Sequence, residues 1–187
     1  MKIFFLFVLI HLTSQVECQN VKLTVSALGI DSLKIGMSEM QAEKVIGEAL
    51  KPYISPDAKQ STPDPNTDVF TCNYKGVELH LVFIKYTLNE KRESSLSSIT
   101  PTSKVSLVET KTGIKTGISE NEFIEICKKN NYTYESLPDE NNRIYLLSDN
   151  FDKTSKYRMF IMIKDSVVTS LGVADMTAYY ATGGQAH

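Results

Sequence analysis

Few side chains in this chain of 187 residues carry the chemistry of a catalyst. There are three histidines. His11 lies in an apolar leader and His187 follows a Gly-Gly tail, so a general base or a zinc ligand would have to be His80. Cys72 or Cys127 paired with His80 would give an activated thiol, but neither cysteine sits in a small-residue turn that would expose a nucleophile. Asp139-Glu140 and the pair Asp149/Asp152 suggest calcium ligands. The spacing of a calcium-binding loop is missing, and they read as solvated loop charges. The paired carboxylates of a glycosidase cannot be picked out of the sequence. Asn131-Tyr132-Thr133 is a glycosylation sequon, meaningful in a eukaryotic secretory host. The expectation is a chain with no catalytic residue, no metal site and no cofactor.

The leader sets the expected compartment. Lys2 precedes the apolar run 3–10, and small or polar residues lead to Val16-Glu17-Cys18. This is the pattern of a secretory signal over residues 1–18, cut near Cys18, and it is too short for a membrane span. Lipid anchoring at Cys18 is the weaker reading, because Glu17 stands where lipoprotein signals carry a small residue. The expected location is secreted or periplasmic. A net charge of −2 and no basic patch argue against a nucleic-acid partner. No later stretch is apolar enough to span a bilayer. One Cys72–Cys127 disulfide is possible outside the cytosol, but Cys127 falls on an apolar helix face, which favours two buried free thiols.

The elements that position these residues follow from two similar phrases, KIGMSEMQAEKVIG from Lys34 and KTGISENEFIEICK from Lys115. Each holds a glycine, an apolar residue, a serine and, three residues after the serine, Gln41 or Glu122. That is a capping box twice, with Ser38 and Ser119 as N-caps. The spacing predicts helices over 39–46, stopped by Gly47, and over 120–129, stopped at Asn130-Asn131. A polar loop over 55–68 follows the first helix, and a turn-rich passage over 136–142 follows the second. Strands are predicted over 69–74 and 77–86 around Lys75-Gly76, and over 96–100 after a charged loop, NEKRES. Further strands are predicted over 143–148, 156–164 and 167–173. The fold class expected is α+β: two tandem repeats, each a short helix or helix pair on an antiparallel sheet of three to four strands. The expected domains are 19–101 and 102–175, followed by a tail over 176–187.

Residues Ile35-Gly36-Met37-Ser38 through Ile46-Gly47, and Thr116-Gly117-Ile118-Ser119 through Cys127, carry a resemblance. In these motifs and in its layout the chain resembles the β-lactamase inhibitor protein and the SmpA/OmlA-type outer-membrane assembly lipoproteins. The resemblance implies helices on one face of antiparallel sheets that continue into a concave, partner-binding surface. It departs from that pattern at Lys128, where the family ends the helix with glycine, and in having too few cysteines for the inhibitor's two disulfides.

Period-two alternation turns Val77, Leu79, Leu81 and Phe83, and likewise Tyr157, Met159, Ile161 and Ile163, toward the helices. The other face then carries Glu78, His80, Val82, Ile84, Arg158, Phe160, Met162 and Lys164. A solvated face is expected to be polar, so His80, Val82, Ile84, Phe160 and Met162 are the candidate partner-binding residues. Coverage by the tail, a loop or the other half is the structural alternative. The functional expectation is a non-enzymatic protein-binding module, secreted or envelope-associated, with an inhibitor-like form among its readings. Its partner would be another protein at the envelope or outside the cell. The alternative is a small-ligand carrier or an envelope hydrolase of unrecognised type; a purely structural protein is a third.

Overall fold

Serine capping starts both helices. Ser38 Oγ accepts from the Gln41 amide at 3.3 Å and Gln41 Oε1 accepts from the Ser38 amide at 2.9 Å, a complete capping box for α1 (Glu39–Ile46). Gly47 ends α1 in the left-handed conformation, φ 86°. Ser119 Oγ accepts from the Glu122 amide at 3.2 Å and starts α2 (Glu120–Lys129). The second box is only half formed: no return bond from the Glu122 side chain occurs among the described residues. The chain entering α2 is held instead by backbone bonds, Glu120 N–H to Ser166 O and Val168 N–H to Ile118 O, each 2.9 Å. The computed structural model describes residues 22–54, 64–88, 91–102, 107–138, 142–148 and 156–177. The expected leader, most of the tail and the acidic residues 139–140, 149 and 152 lie outside them.

The strands in chain order are β1 (Leu23–Ser26), β2 (Gly29–Ile30), β3 (Leu33–Lys34), β4 (Lys51–Pro52), β5 (Thr67–Tyr74), β6 (Val77–Leu88) and β7 (Lys91–Pro101). After them come β8 (Val108–Thr110), β9 (Thr133–Pro138), β10 (Arg143–Ser148), β11 (Tyr157–Lys164) and β12 (Val167–Asp175). Two sheets result. One has eight strands in the order β4-β5-β6-β7-β12-β11-β10-β9, antiparallel throughout. The other has four short strands, β3-β2-β1-β8, with β1 and β8 parallel.

This corrects the expected α+β class. The described chain is mostly strand, with helices of only 8 and 10 residues. The strands do not form separate helix-on-sheet units, because β7 and β12 pair through Ile99–Val173 and Ser98–Ala174 and run both meanders into one sheet. Two loop readings are corrected as well. The charged segment after β6 is strand from Lys91 onward, and residues 133–138 pair with β10.

Tight turns follow the local sequence. Lys75-Gly76 (φ 52° and 84°) and Asp165-Ser166 (φ 51° and 60°) are both left-handed at two successive residues. That geometry matches the twist of two-residue hairpins. Asn73 Oδ1 accepts from the Gly76 amide at 2.9 Å and braces the first turn.

The core lies on one face of the large sheet. Leu79, Leu81 and Phe83 of β6, Ile99 of β7, Leu171 and Val173 of β12 and Met159 and Ile161 of β11 are all buried there. Above them sit α1, α2 and the small sheet, which contribute Ala42, Phe123, Cys127, Leu23, Val25, Ile30 and Leu33. Of the residues the sequence assigned to this side, Val77, Leu79, Leu81, Phe83, Met159, Ile161 and Ile163 are buried and Tyr157 is half-buried. Phe123, Tyr134 and Tyr145 pack together at its α2 end with their rings tilted or edge-on. No described helix is long and apolar enough to cross a membrane.

Candidate functional site

The large sheet's second face is not covered by either helix or by the small sheet. Directly opposed residues of an antiparallel ladder share a face, so the registers locate every side chain on it. Val82 opposes Ser98, Ser98 opposes Ala174, and Ala174 opposes Arg158. Ile84 opposes Ser95 and His80 opposes Thr100. Across the sheet Phe160 opposes Gly172 and Leu146, and Met162 opposes Ser170 and Ile144. The five candidate residues therefore share one face but form two groups. His80, Val82 and Ile84 lie on β6, and Phe160 and Met162 on β11. They are three strand spacings apart, roughly 14 Å. Between them β7 and β12 present Ser95, Ser98, Thr100, Ser170, Gly172 and Ala174, a central lane of small side chains.

Each group has its own surroundings. The Tyr53 ring lies 4.3 Å from the His80 ring, and His80 is half-buried beneath it. Cys72 opposes Leu79 rather than His80, so its thiol sits on the covered face. The cysteine–histidine pair weighed from the sequence is not assembled there. Both cysteines are free and buried. Burial pushes the Cys72 thiol up to about 11, with Glu48 and Glu78 adding to it, and the Cys127 thiol up to about 12. Neither is an ionised nucleophile at neutral pH. Among the described residues no group of three or more histidine, cysteine or acidic side chains could hold a metal ion.

Phe160 has a local partner that the sequence did not reveal. A Cβ placed on Gly172 would meet Phe160 Cζ at 2.4 Å and Ile99 O at 2.6 Å. The ring therefore lies across the glycine and shields a strand position that has no side chain of its own. Beside it Leu146 is buried, while Ile144, Met162 and Leu137 are half-buried. These neighbours were missed as site residues. The available signal was 143–148, which is apolar at four successive positions from Ile144 to Leu147 and so has apolar residues on both faces.

The β6 group opens into a cleft of about 430 Å³ lined by Ile84, Tyr86, Ser95, Ser97, Lys156 and Asp175, with Thr177 at its lip. A β-bulge shapes it. The β6–β7 register passes from Val82–Ser98 to Phe83–Leu96 and leaves Ser97 as the extra residue. Ser97 is 8% exposed. Its hydroxyl has no partner among the described residues and reaches solvent through the cleft. Lys156 Nζ lies 3.2 Å from Asp175 Oδ2. Asp175 Oδ1 accepts from the Thr177 amide at 2.9 Å and from its hydroxyl at 2.5 Å. Burial alone would raise the Asp175 carboxyl; the Thr177 bonds and Lys156 outweigh it and hold the group below the usual carboxylate range. A second bulge, between Met162 and Ile163 in the β11–β12 ladder, leaves Thr169 as the extra residue, and its hydroxyl donates to Met162 O at 3.3 Å.

The face thus supplies apolar contacts on two sides of a lane of small residues, and a fixed ion pair at one end. It can hold an extended or flat partner by packing and hydrogen bonding. Compared with family models, with curated proteins and with solved structures, the chain shows no match.

Proposed function

We propose that this protein is a non-enzymatic binding module whose uncovered sheet face takes a protein partner. The single observation that carries the reading is the residue set of that face. Val82, Phe160, Met162 and Ile144 are half-buried and Ile84 is 37% exposed, although nothing in the described chain packs on them as a layer. Apolar anchors around a lane of serine, glycine and alanine suit a partner segment lying along the strands. Lys156 and Asp175 supply a polar rim at one end. The leader-like pattern over residues 1–18 supports export.

Partner capture from the native extracellular or envelope fraction tests it, provided the comparison is between variants. Ile84→Asp and Met162→Asp are expected to release a partner that Met40→Asp retains, since Met40 is 79% exposed on α1. A partner retained equally by all three variants would sink the reading. Phe160→Ala is a poorer probe, because it also uncovers Gly172.

The cleft beside Ile84 favours a second reading, a small-ligand carrier. Its support is the Ser97 hydroxyl, open to the cleft next to the Lys156–Asp175 pair, within a volume suited to a small molecule. Ligand binding that is lost in Ser97→Val and indifferent to Met162→Asp would move the function there.

A further inference from the structure

We propose that the cleft beside Ile84 is a binding site for a neutral sugar ring. This ligand class rests on the second reading above, the small-ligand carrier, and sharpens it. The cleft owes its floor to a departure from regular strand geometry. The β6–β7 bulge inserts Ser97 between Leu96 and Ser98, and a bulge re-aims the side chain it carries. Ser97 is 8% exposed, yet its hydroxyl opens onto the cleft. Ser95, opposite Ile84, lines the same cleft. A hydroxyl both donates and accepts, so this floor suits a ligand whose own groups do both.

The charged residues narrow the class. Lys156 and Asp175 both line the cleft and neutralise each other at 3.2 Å. A charged ligand would meet one of them as a like charge. The Thr177 amide donates to Asp175 Oδ1 at 2.9 Å and fixes the carboxylate. An ammonium has three donors, so the pair presents further N–H donors beside a carboxylate acceptor. Adjacent hydroxyls of a sugar ring match that arrangement: one accepts from the ammonium while its neighbour donates to the carboxylate. The walls suit the rest of the ring. Ile84 is 37% and Tyr86 42% exposed, an aliphatic and an aromatic surface for the apolar C–H face. A volume of about 430 Å³ lies at the small end of ligand sites. The hydrogen bond to Asp175 raises the Lys156 pKa above the ordinary lysine value. Lys156 therefore keeps its proton and is no base for Ser97, and the cleft holds its ligand without activating a nucleophile.

Ligand-observed NMR of the full chain tests this with the methyl glycosides of glucose, galactose, mannose and N-acetylglucosamine. Benzoate and benzylamine serve as an apolar anion and an apolar cation. At least one glycoside is expected to bind, with a dissociation constant of roughly a millimolar. Ser97→Ala is expected to weaken it about threefold to tenfold, the worth of one hydrogen bond. The unfolding midpoint should not move, because that hydroxyl opens onto the cleft rather than into the core. Tyr86→Ala, at an exposed residue, is expected to weaken binding about tenfold, and Met162→Asp to leave it unchanged. A free sugar and the end of a glycan chain share this chemistry. An oligosaccharide ending in the bound sugar tells them apart: it binds equally if the chain end fits and fails if only the free sugar does, and either result supports the assignment. Binding by none of the glycosides, or glycoside binding indifferent to both Ser97→Ala and Tyr86→Ala, would overturn it. Benzoate or benzylamine binding that is lost in Ser97→Ala, with no glycoside bound, would overturn the sugar class while leaving the carrier reading standing.

Discussion

Replacing Gly172 by alanine probes the middle of the uncovered face. The new Cβ would stand 2.4 Å from Phe160 Cζ, 2.8 Å from Phe160 Cε1 and 2.6 Å from Ile99 O. The two kinds of neighbour respond differently. The ring is the far part of a half-buried side chain and can swing outward, at the cost of its own packing. The carbonyl belongs to β7, whose pairing with β12 holds the two halves of the sheet together, and it cannot move without stretching that seam. Alanine would otherwise be mildly favourable, by about 0.4–1 kcal/mol, because Gly172 has no left-handed backbone to preserve and its unfolded chain is freer. Overpacking costs typically about 1–3 kcal/mol, so a net loss of about 1–2 kcal/mol is expected. In urea, with a slope of roughly 2 kcal/mol per molar, the midpoint would fall by about 0.5–1 M. A double-mutant cycle separates the two contacts. In a Phe160→Ala background the ring clash is gone and the carbonyl clash remains, so Gly172→Ala should cost less there by about 1 kcal/mol while remaining unfavourable. Equal cost in both backgrounds would refute the idea that Phe160 shields Gly172. A neutral or stabilising Gly172→Ala would refute the close approach itself.

Other expected outcomes follow from the buried polar and thiol groups. Glu120, 7% exposed at the start of α2, accepts from Tyr145 Oη at 2.7 Å and from Arg143 Nη1 at 2.6 Å. Glu120→Ala should cost about 1–3 kcal/mol in chemical denaturation, since it leaves the buried tyrosine hydroxyl unpaired. Arg143→Ala should cost under about 1 kcal/mol, because that side chain is 57% exposed. Burial lifts the Cys72 and Cys127 thiols to about 11 and about 12, well above the ordinary thiol range. Their contribution to stability is therefore complete below about pH 9 and is lost as pH rises through those values. Native protein at pH 8 should react slowly with a thiol reagent, and both thiols should appear on unfolding. Ser38→Ala and Ser119→Ala should each lower stability by about 1 kcal/mol. Gln41→Ala should weaken the cap at α1, whereas Glu122→Ala should leave the cap at α2 nearly unchanged, because only the first box has its return bond.

Much of this fold was legible because its signals are local. Ser38, Gly47 and Ser119 stand at helix ends where capping chemistry puts them, and both helices run over the expected residues. Lys75-Gly76 and Asp165-Ser166 mark their hairpins, and alternation along β6 and β11 assigned the two faces of the sheet. What was missed has no local signature. The strands of the small sheet are two to four residues long, and its parallel pair joins Leu23 to Val108, far apart in the chain. The β7–β12 seam is likewise a long-range pairing, and without it two meanders look like two units. Of the candidate site, the face was legible and the layout was not. Period-two reading placed Val82 and Met162 correctly on one side, but only strand order shows a lane of small residues between them. The bulge that isolates Ser97 depends on a register that no single strand encodes.

Site-specific photocross-linking from that face, in the native extracellular or envelope fraction, tests the central claim most directly. A cross-linker at position 84 and another at position 162 are expected to capture one and the same partner. The same group at position 40 on α1 is expected to capture none. Capture at position 40 alone, or equal capture from all three positions, would contradict the account and place the function elsewhere on the molecule.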